Sequence, residues 1–142
     1  MSGYYKPKHF DIRELVSPLV FAERGDMALQ LLDPDLLRVI DRLQEKFGTM
    51  IINNWHWGGN RDLCGFRGHS DIPKLKAEGI YIKNDQHQLG NAIDAVFKNT
   101  TAEIVRQYII SHPGEFPEIR GIEKNVSWLH IDTRNWPRVV VF

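Results

Sequence analysis

Two short segments hold the residue types that could do chemistry. The first is Gln86-His87-Gln88-Leu89-Gly90-Asn91-Ala92-Ile93-Asp94, the second Ser127-Trp128-Leu129-His130-Ile131-Asp132-Thr133-Arg134. Each sets a histidine beside an aspartate on or next to a predicted strand. Asp94 sits among Ile93, Ala95, Val96 and Phe97. A carboxylate in such a strand is costly unless a cation or hydrogen-bond donors compensate it. On an extended segment Trp128, His130, Asp132 and Arg134 share one face, and Leu129, Ile131 and Thr133 share the other, apolar face. His130 and Asp132 are therefore expected to look into a polar pocket, with His87 in the loop that feeds the strand of Asp94. Two histidines and one carboxylate with an open fourth position form the ligand set of a catalytic zinc ion. Zinc lowers the pKa of a bound water towards ~7, which suits hydrolysis at neutral pH. Spacing alone does not join the three residues. It leaves open an ordinary ion pair of Asp94 with an arginine, and of Asp132 with Arg134.

Composition narrows the setting. The chain has 142 residues, 42 % hydrophobic and 25 % charged, which suits one globular domain spanning 1–142. A fold of this size buries roughly two thirds of the surface its unfolded chain exposes. Lys+Arg and Asp+Glu both number 18. The basic excess of a nucleic-acid binder is missing, so no nucleic-acid partner is expected. No apolar run reaches the ~20 residues of a membrane span, so no membrane insertion is expected. No signal peptide is read at the start of the chain. Cys64 is the only cysteine, which excludes an internal disulfide and a cysteine-rich zinc finger. It reads as a small buried hydrophobe. A metal site must then use His and carboxylate.

The elements that would position these residues follow from periodicity and caps. Residues 1–10 read as an extended lead-in and 26–32 as a short helix. Asp33 is a good N-cap, Pro34 suits a first turn and Gly48 suits an exit. Between them Leu36, Leu37, Ile40, Leu43 and Phe47 recur at helical spacing, with Asp41, Arg42 and Glu45 off that face. Residues 49–54 and Ala92–Phe97 read as strands, and 55–84 as a long loop of the kind that is functional or partly disordered. Thr100 with Glu103 is a candidate capping box, opening a helix that ends at His112-Pro113-Gly114. Residues 127–133 and 138–142 read as two further strands around a turn at Asn135-Trp136-Pro137. The order lacks regular βαβ alternation and predicts an α+β fold with a small, mainly antiparallel sheet packed with helices.

His87-x-x-Gly90-x-Ala92-x-Asp94 and Trp128-x-His130-x-Asp132 together resemble the zinc D-alanyl-D-alanine carboxypeptidase and L,D-endopeptidase family, of hedgehog/DD-peptidase fold. Phe10-Asp11-Ile12-Arg13-Glu14-Leu15-Val16, Leu32-Asp33-Pro34, Asn53-Asn54-Trp55-His56-Trp57-Gly58-Gly59 and Gly65-Phe66-Arg67 are similar to its phage-type, endolysin-like branch. The resemblance implies His87, Asp94 and His130 as ligands of Zn2+. It implies Arg67 as the residue that holds a substrate carbonyl or carboxylate and stabilises developing negative charge, with Arg61 a competitor. Trp55, His56 and Trp57 would line the substrate groove.

The chain departs from the family pattern twice. Asp85 stands where the family has a serine two residues before the first ligand. Ser127 stands where many members have a general-base glutamate three residues before the last histidine. Glu123 is the nearest upstream acid and reaches the site if 123–127 form a hairpin turn. Asp132 is the alternative base, or a partner that orients a ligand. The implied activity is zinc-dependent hydrolysis of peptidoglycan stem peptides, as a D,D-carboxypeptidase or an L,D- or D,D-endopeptidase, on peptidoglycan peptide or D-Ala-D-Ala-type small peptides. A non-catalytic, zinc-containing cell-wall-binding or virion module of the same fold is the alternative. The expected form is a monomer made in the cytoplasm that acts on the cell wall after phage-type release or from a virion.

Overall fold

The computed structural model describes residues 4–142. Among the described residues, three of the four α-helices begin at side-chain caps, Ile72–Ala77 being the exception. Ser17 accepts from Val20 N to open α1 (Pro18–Arg24), and Asp33 accepts from Asp35 N to open α2 (Pro34–Phe47). Proline sits in the first turn of both, where its missing N–H costs nothing. A 3-10 turn, Gly25–Leu31, joins them where the sequence predicts a short helix. α3 spans Ile72–Ala77 and α4 spans Ala102–Ser111. The N-cap of α4 is Thr101, whose Oγ1 accepts from Ile104 N, so the capping box expected at Thr100 and Glu103 does not form; Glu103 instead bonds Arg106 and Gln107.

The strands are β1 (Met50–Ile51), β2 (Ala92–Phe97), β3 (Gly121–Glu123), β4 (Leu129–Asp132) and β5 (Val140–Val141). They form one five-stranded sheet in the order β1-β2-β4-β3-β5, antiparallel except for the β3–β5 pair. The fold is thus α+β with a mostly antiparallel sheet, as the element order predicts. The strands expected over 49–54, 127–133 and 138–142 are shorter than periodicity suggests. Beyond Ile51 the chain leaves the sheet because side chains take over its pairing. Asn53 donates to Val16 O and accepts from Cys64 N, and Asn54 accepts from Arg61 N. β3 is too short to show a period of its own. The expected loop 55–84 holds α3 and the 3-10 turns Trp55–Trp57 and His69–Asp71.

The core lies between α2 and the sheet. Leu36, Leu37, Ile40 and Leu43 meet Ile93, Ala95, Leu129 and Ile131, all fully buried. Burial of each such side chain contributes about 1.5–3 kcal/mol. Asp41, expected off the buried face of α2, is buried beneath the lead-in. It accepts from Tyr5 Oη at 2.6 Å and from the backbone N–H groups of Lys8 and His9. The expected lead-in over 1–10 carries no helix or strand over its described part, residues 4–10, and residues 1–3 lie outside the described residues.

Arg106 of α4 is fully buried and clasps the link between β3 and β4. Its guanidinium donates to Glu123 O at 2.9 Å, to Val126 O at 3.1 Å and to Trp128 O, and pairs with Glu103. Replacing Arg106 with Met leaves three carbonyls without their donor. Each such carbonyl left buried without a partner costs about 1–3 kcal/mol. Urea unfolding of Arg106→Met is expected to show a loss of that order, and a loss below about 1 kcal/mol would show that the clasp carries little.

Candidate metal centre

The sheet register builds the site. Asp94 on β2 lies opposite His130 on β4, and His130 lies opposite Glu123 on β3. Directly opposed residues put their side chains on the same face. Asp94, His130 and Glu123 therefore form one row across three strands spaced by about 4.8 Å. His87 enters from the loop before β2. That loop reaches the sheet through Gly90, whose φ is +77° and whose carbonyl accepts from Asp33 N. A Cβ there would stand 1.9 Å from Leu31 O, so this motif position requires glycine.

His87 and His130 are buried and Asp94 is largely so. One ligand atom from each lies within 4.8 Å of the other two, the arrangement of a group able to hold a metal ion. The hydrogen bonds decide which atoms those are. His87 Nδ1 lies 3.0 Å from Gly65 O. A carbonyl only accepts, so Nδ1 carries the hydrogen and Nε2 keeps its lone pair. Nε2 lies 3.4 Å from Asp94 Oδ2. His130 Nε2 lies 3.0 Å from Asp132 Oδ2, and its Nδ1 lies 2.9 Å from Asp94 Oδ1. Asp132 thus holds the Nε2 hydrogen and leaves Nδ1 to face Asp94 and His87. A tetrahedral ion with bonds of about 2.1 Å needs donors about 3.4 Å apart, and these atoms need only small shifts to meet that. His87 Nε2, Asp94 and His130 Nδ1 fit a divalent cation. Gly65 O and Asp132 supply the outer hydrogen bonds that orient metal-binding histidines.

The charges agree with this assignment. Burial would raise the Asp94 carboxyl pKa, but the His130 and His87 rings that face it hold it well below the usual range. Burial opposes protonation of His130, yet Asp132 and Asp94 together lift it to about 9 without a cation present. Burial also opposes ionisation of Asp132, and Arg134 and His130 still bring it down to about 2. Asp132 is therefore an anion engaged on both oxygens. Arg134 holds it with two bonds of 2.7 Å, the ion pair that the sequence left open. This disfavours Asp132 as a proton acceptor and favours it as the group that orients His130. Gly121 makes its place: a Cβ there would lie 2.3 Å from the Asp132 carboxylate oxygens.

Glu123 is half-buried and lines the same cavity, of about 670 Å³. Among the described residues no side chain pairs with its carboxylate. Arg67 also lines the cavity. It donates to Leu63 O at 2.8 Å, lies 3.2 Å from Asp85 and lies 3.8 Å from Asp94 Oδ2. Asp85, at the departed serine position, steadies the arginine. Arg61 reaches the cavity but spends its guanidinium on Ile52 O and Asp94 O. Trp55, His56 and Trp57 lie outside the cavity lining. Trp55 donates to Val16 O and packs near Phe21, while His56 bonds Arg13 and Trp57 faces the Arg13 guanidinium. The wall is formed instead by Ile80, Tyr81 and Ile82 of the loop before His87, by Trp128 and by Phe142. That loop has no periodicity to mark it, and the placing of Phe142 depends on the parallel β3–β5 pairing. Cys64 lines the cavity as well, and burial raises its thiol pKa.

Fold and site define an α+β protein whose sheet carries a His-Asp-His group able to bind a metal ion. No family model, no curated protein and no solved structure matches the chain.

Proposed function

We propose that this chain is a zinc-dependent peptidase that hydrolyses peptidoglycan stem peptides. The observation that carries the reading is the row Asp94-His130-Glu123, closed by His87 and facing a cavity that Arg67 shares. Two histidines and one carboxylate are the donor set of a hydrolytic zinc site, and the motifs around them resemble the D-alanyl-D-alanine carboxypeptidase family. His87, Asp94 and His130 would hold the ion, which when bound polarises a carbonyl and lowers the pKa of a water towards ~7.

The chain's own residues supply the remainder. Glu123 takes a proton from the attacking water as its oxygen bonds the peptide carbonyl carbon. It returns that proton to the amide nitrogen as the C–N bond breaks, so the products are a carboxylic acid and an amine. Arg67, held by Leu63 O and Asp85, offers its guanidinium to the carbonyl oxygen or to a substrate carboxylate. Asp132, fixed by Arg134, keeps His130 turned. The experiment is digestion of purified peptidoglycan and small muropeptides, read by mass spectrometry. New stem-peptide fragments are expected that vanish with chelator and return with zinc. Intact muropeptides in the presence of bound zinc would overturn the peptidase reading.

A second reading is a non-catalytic, zinc-containing cell-wall-binding or virion structural module. Ser127 in the usual glutamate position favours it. Ser127 is exposed on the β3–β4 link, and that link contributes no other acid after Glu123.

A further inference from the structure

A second depression shares one lining side chain with the metal cavity. Arg134 lines the cavity and also lines an open, polar groove of about 720 Å³. Three segments make the groove: the first turns of α2 with Asp35 and Arg38, the approach to β3 with Glu118 and Arg120, and the β4–β5 connection with Asn135 and Trp136. Trp136 is 53 % exposed, and no protein acceptor among the described residues takes its indole N–H. Its indole therefore offers an apolar face and an unpaired N–H donor side by side at the groove.

The charges say what kind of ligand would fit. Arg38 is paired with Asp35, Glu118 with Arg42 and Arg134 with Asp132. Arg120 alone among the groove's arginines has no carboxylate partner among the described residues; its side chain makes one long bond, 3.4 Å, to Pro137 O. A polyanion would want several unpaired cations, and carboxylates would repel it. A neutral chain rich in hydroxyl and acetamido groups suits the groove better. One face of a sugar ring is apolar C–H, which packs on an indole, and its edge presents donors and acceptors to Arg120, Asn135 and Asp35.

We infer that the groove around Trp136 and Arg120 binds the glycan chain to which a stem peptide is attached, while the peptide enters the metal cavity past Arg134. This rests on the peptidase reading for the identity of the glycan, and its test is separable from that reading. The probe is a soluble, uncharged oligomer of β-1,4-linked N-acetylglucosamine, titrated into full-length protein. The readout is the indole N–H resonance of Trp136, assigned by its loss in Trp136→Ala. A saturable shift of that resonance is expected. Trp136→Ala and Arg120→Ala are each expected to weaken binding about tenfold or more. Trp136 is exposed and the Arg120 side chain makes a single long hydrogen bond, so both variants are expected to keep the wild-type melting temperature. On glycan-linked peptide the two variants raise KM with kcat unchanged, and on free stem peptide they match wild type. An unmoved Trp136 resonance, or wild-type affinity in both variants, overturns the inference even where peptides are cut. Saturable binding at Trp136 by a protein that cuts no peptide sustains the groove and removes the peptidase reading alone.

Discussion

His87→Ala is expected to lose stoichiometric zinc and all measurable peptide hydrolysis. His87 supplies Nε2, one of only three protein donors, and its Nδ1 is already committed to Gly65 O. Loss of an outer hydrogen-bonding partner alone costs a metal site about 10- to 100-fold in affinity, and loss of a ligand costs more. The variant should still fold. Asp94 keeps its bond to His130 and its proximity to Arg67, so the buried carboxylate is not abandoned. One unpaired Gly65 carbonyl costs about 1–3 kcal/mol. Metal analysis after dialysis, with a circular dichroism melt beside it, checks both halves. Full zinc occupancy in the folded variant would refute the ligand assignment.

Glu123→Gln is expected to keep zinc and lose about 10²- to 10⁴-fold in kcat, the usual contribution of a positioned general base. The substitution preserves shape and removes the ability to take a proton. Glu123 is suited to the test because its carboxylate carries no structural burden. Its backbone carbonyl serves Arg106, while among the described residues its side chain bonds nothing. Stability should therefore stay within about 0.5 kcal/mol of wild type. A wild-type rate would move the proton to another group. Asp132 is a poor replacement, since Arg134 and His130 occupy its oxygens.

The sequence told some of these residues apart and was silent on others, for physical reasons. α2 was legible because Asp33, Pro34 and Gly48 punctuate a strong apolar stripe. His87, Asp94 and His130 were legible as types, since charged and ligating residues in apolar strands need compensation. That they meet depends on register, which strand patterns of four and six residues do not specify without the turn between them. The same register puts Glu123 opposite His130, whereas linear spacing only points to Ser127. Asp132 was ambiguous between base and orienting partner until Arg134 was seen to hold both its oxygens. Arg106 and Asp41 were invisible as buried groups because their partners are backbone atoms distant in the chain. The short helices α1 and α3 fall below the length at which periodicity speaks. Trp55, His56 and Trp57 look like a groove wall in sequence, yet they pack against Val16, Phe21 and Arg13.

The central claim is a zinc ion held by these three side chains. Anomalous diffraction at the zinc edge, from crystals of zinc-loaded protein, tests it most directly. The account predicts one strong peak per chain, about 2.0–2.2 Å from His87 Nε2, an Asp94 carboxylate oxygen and His130 Nδ1, with no sulfur ligand. No peak at that point, or one bound by Cys64 or by residues elsewhere, would contradict it.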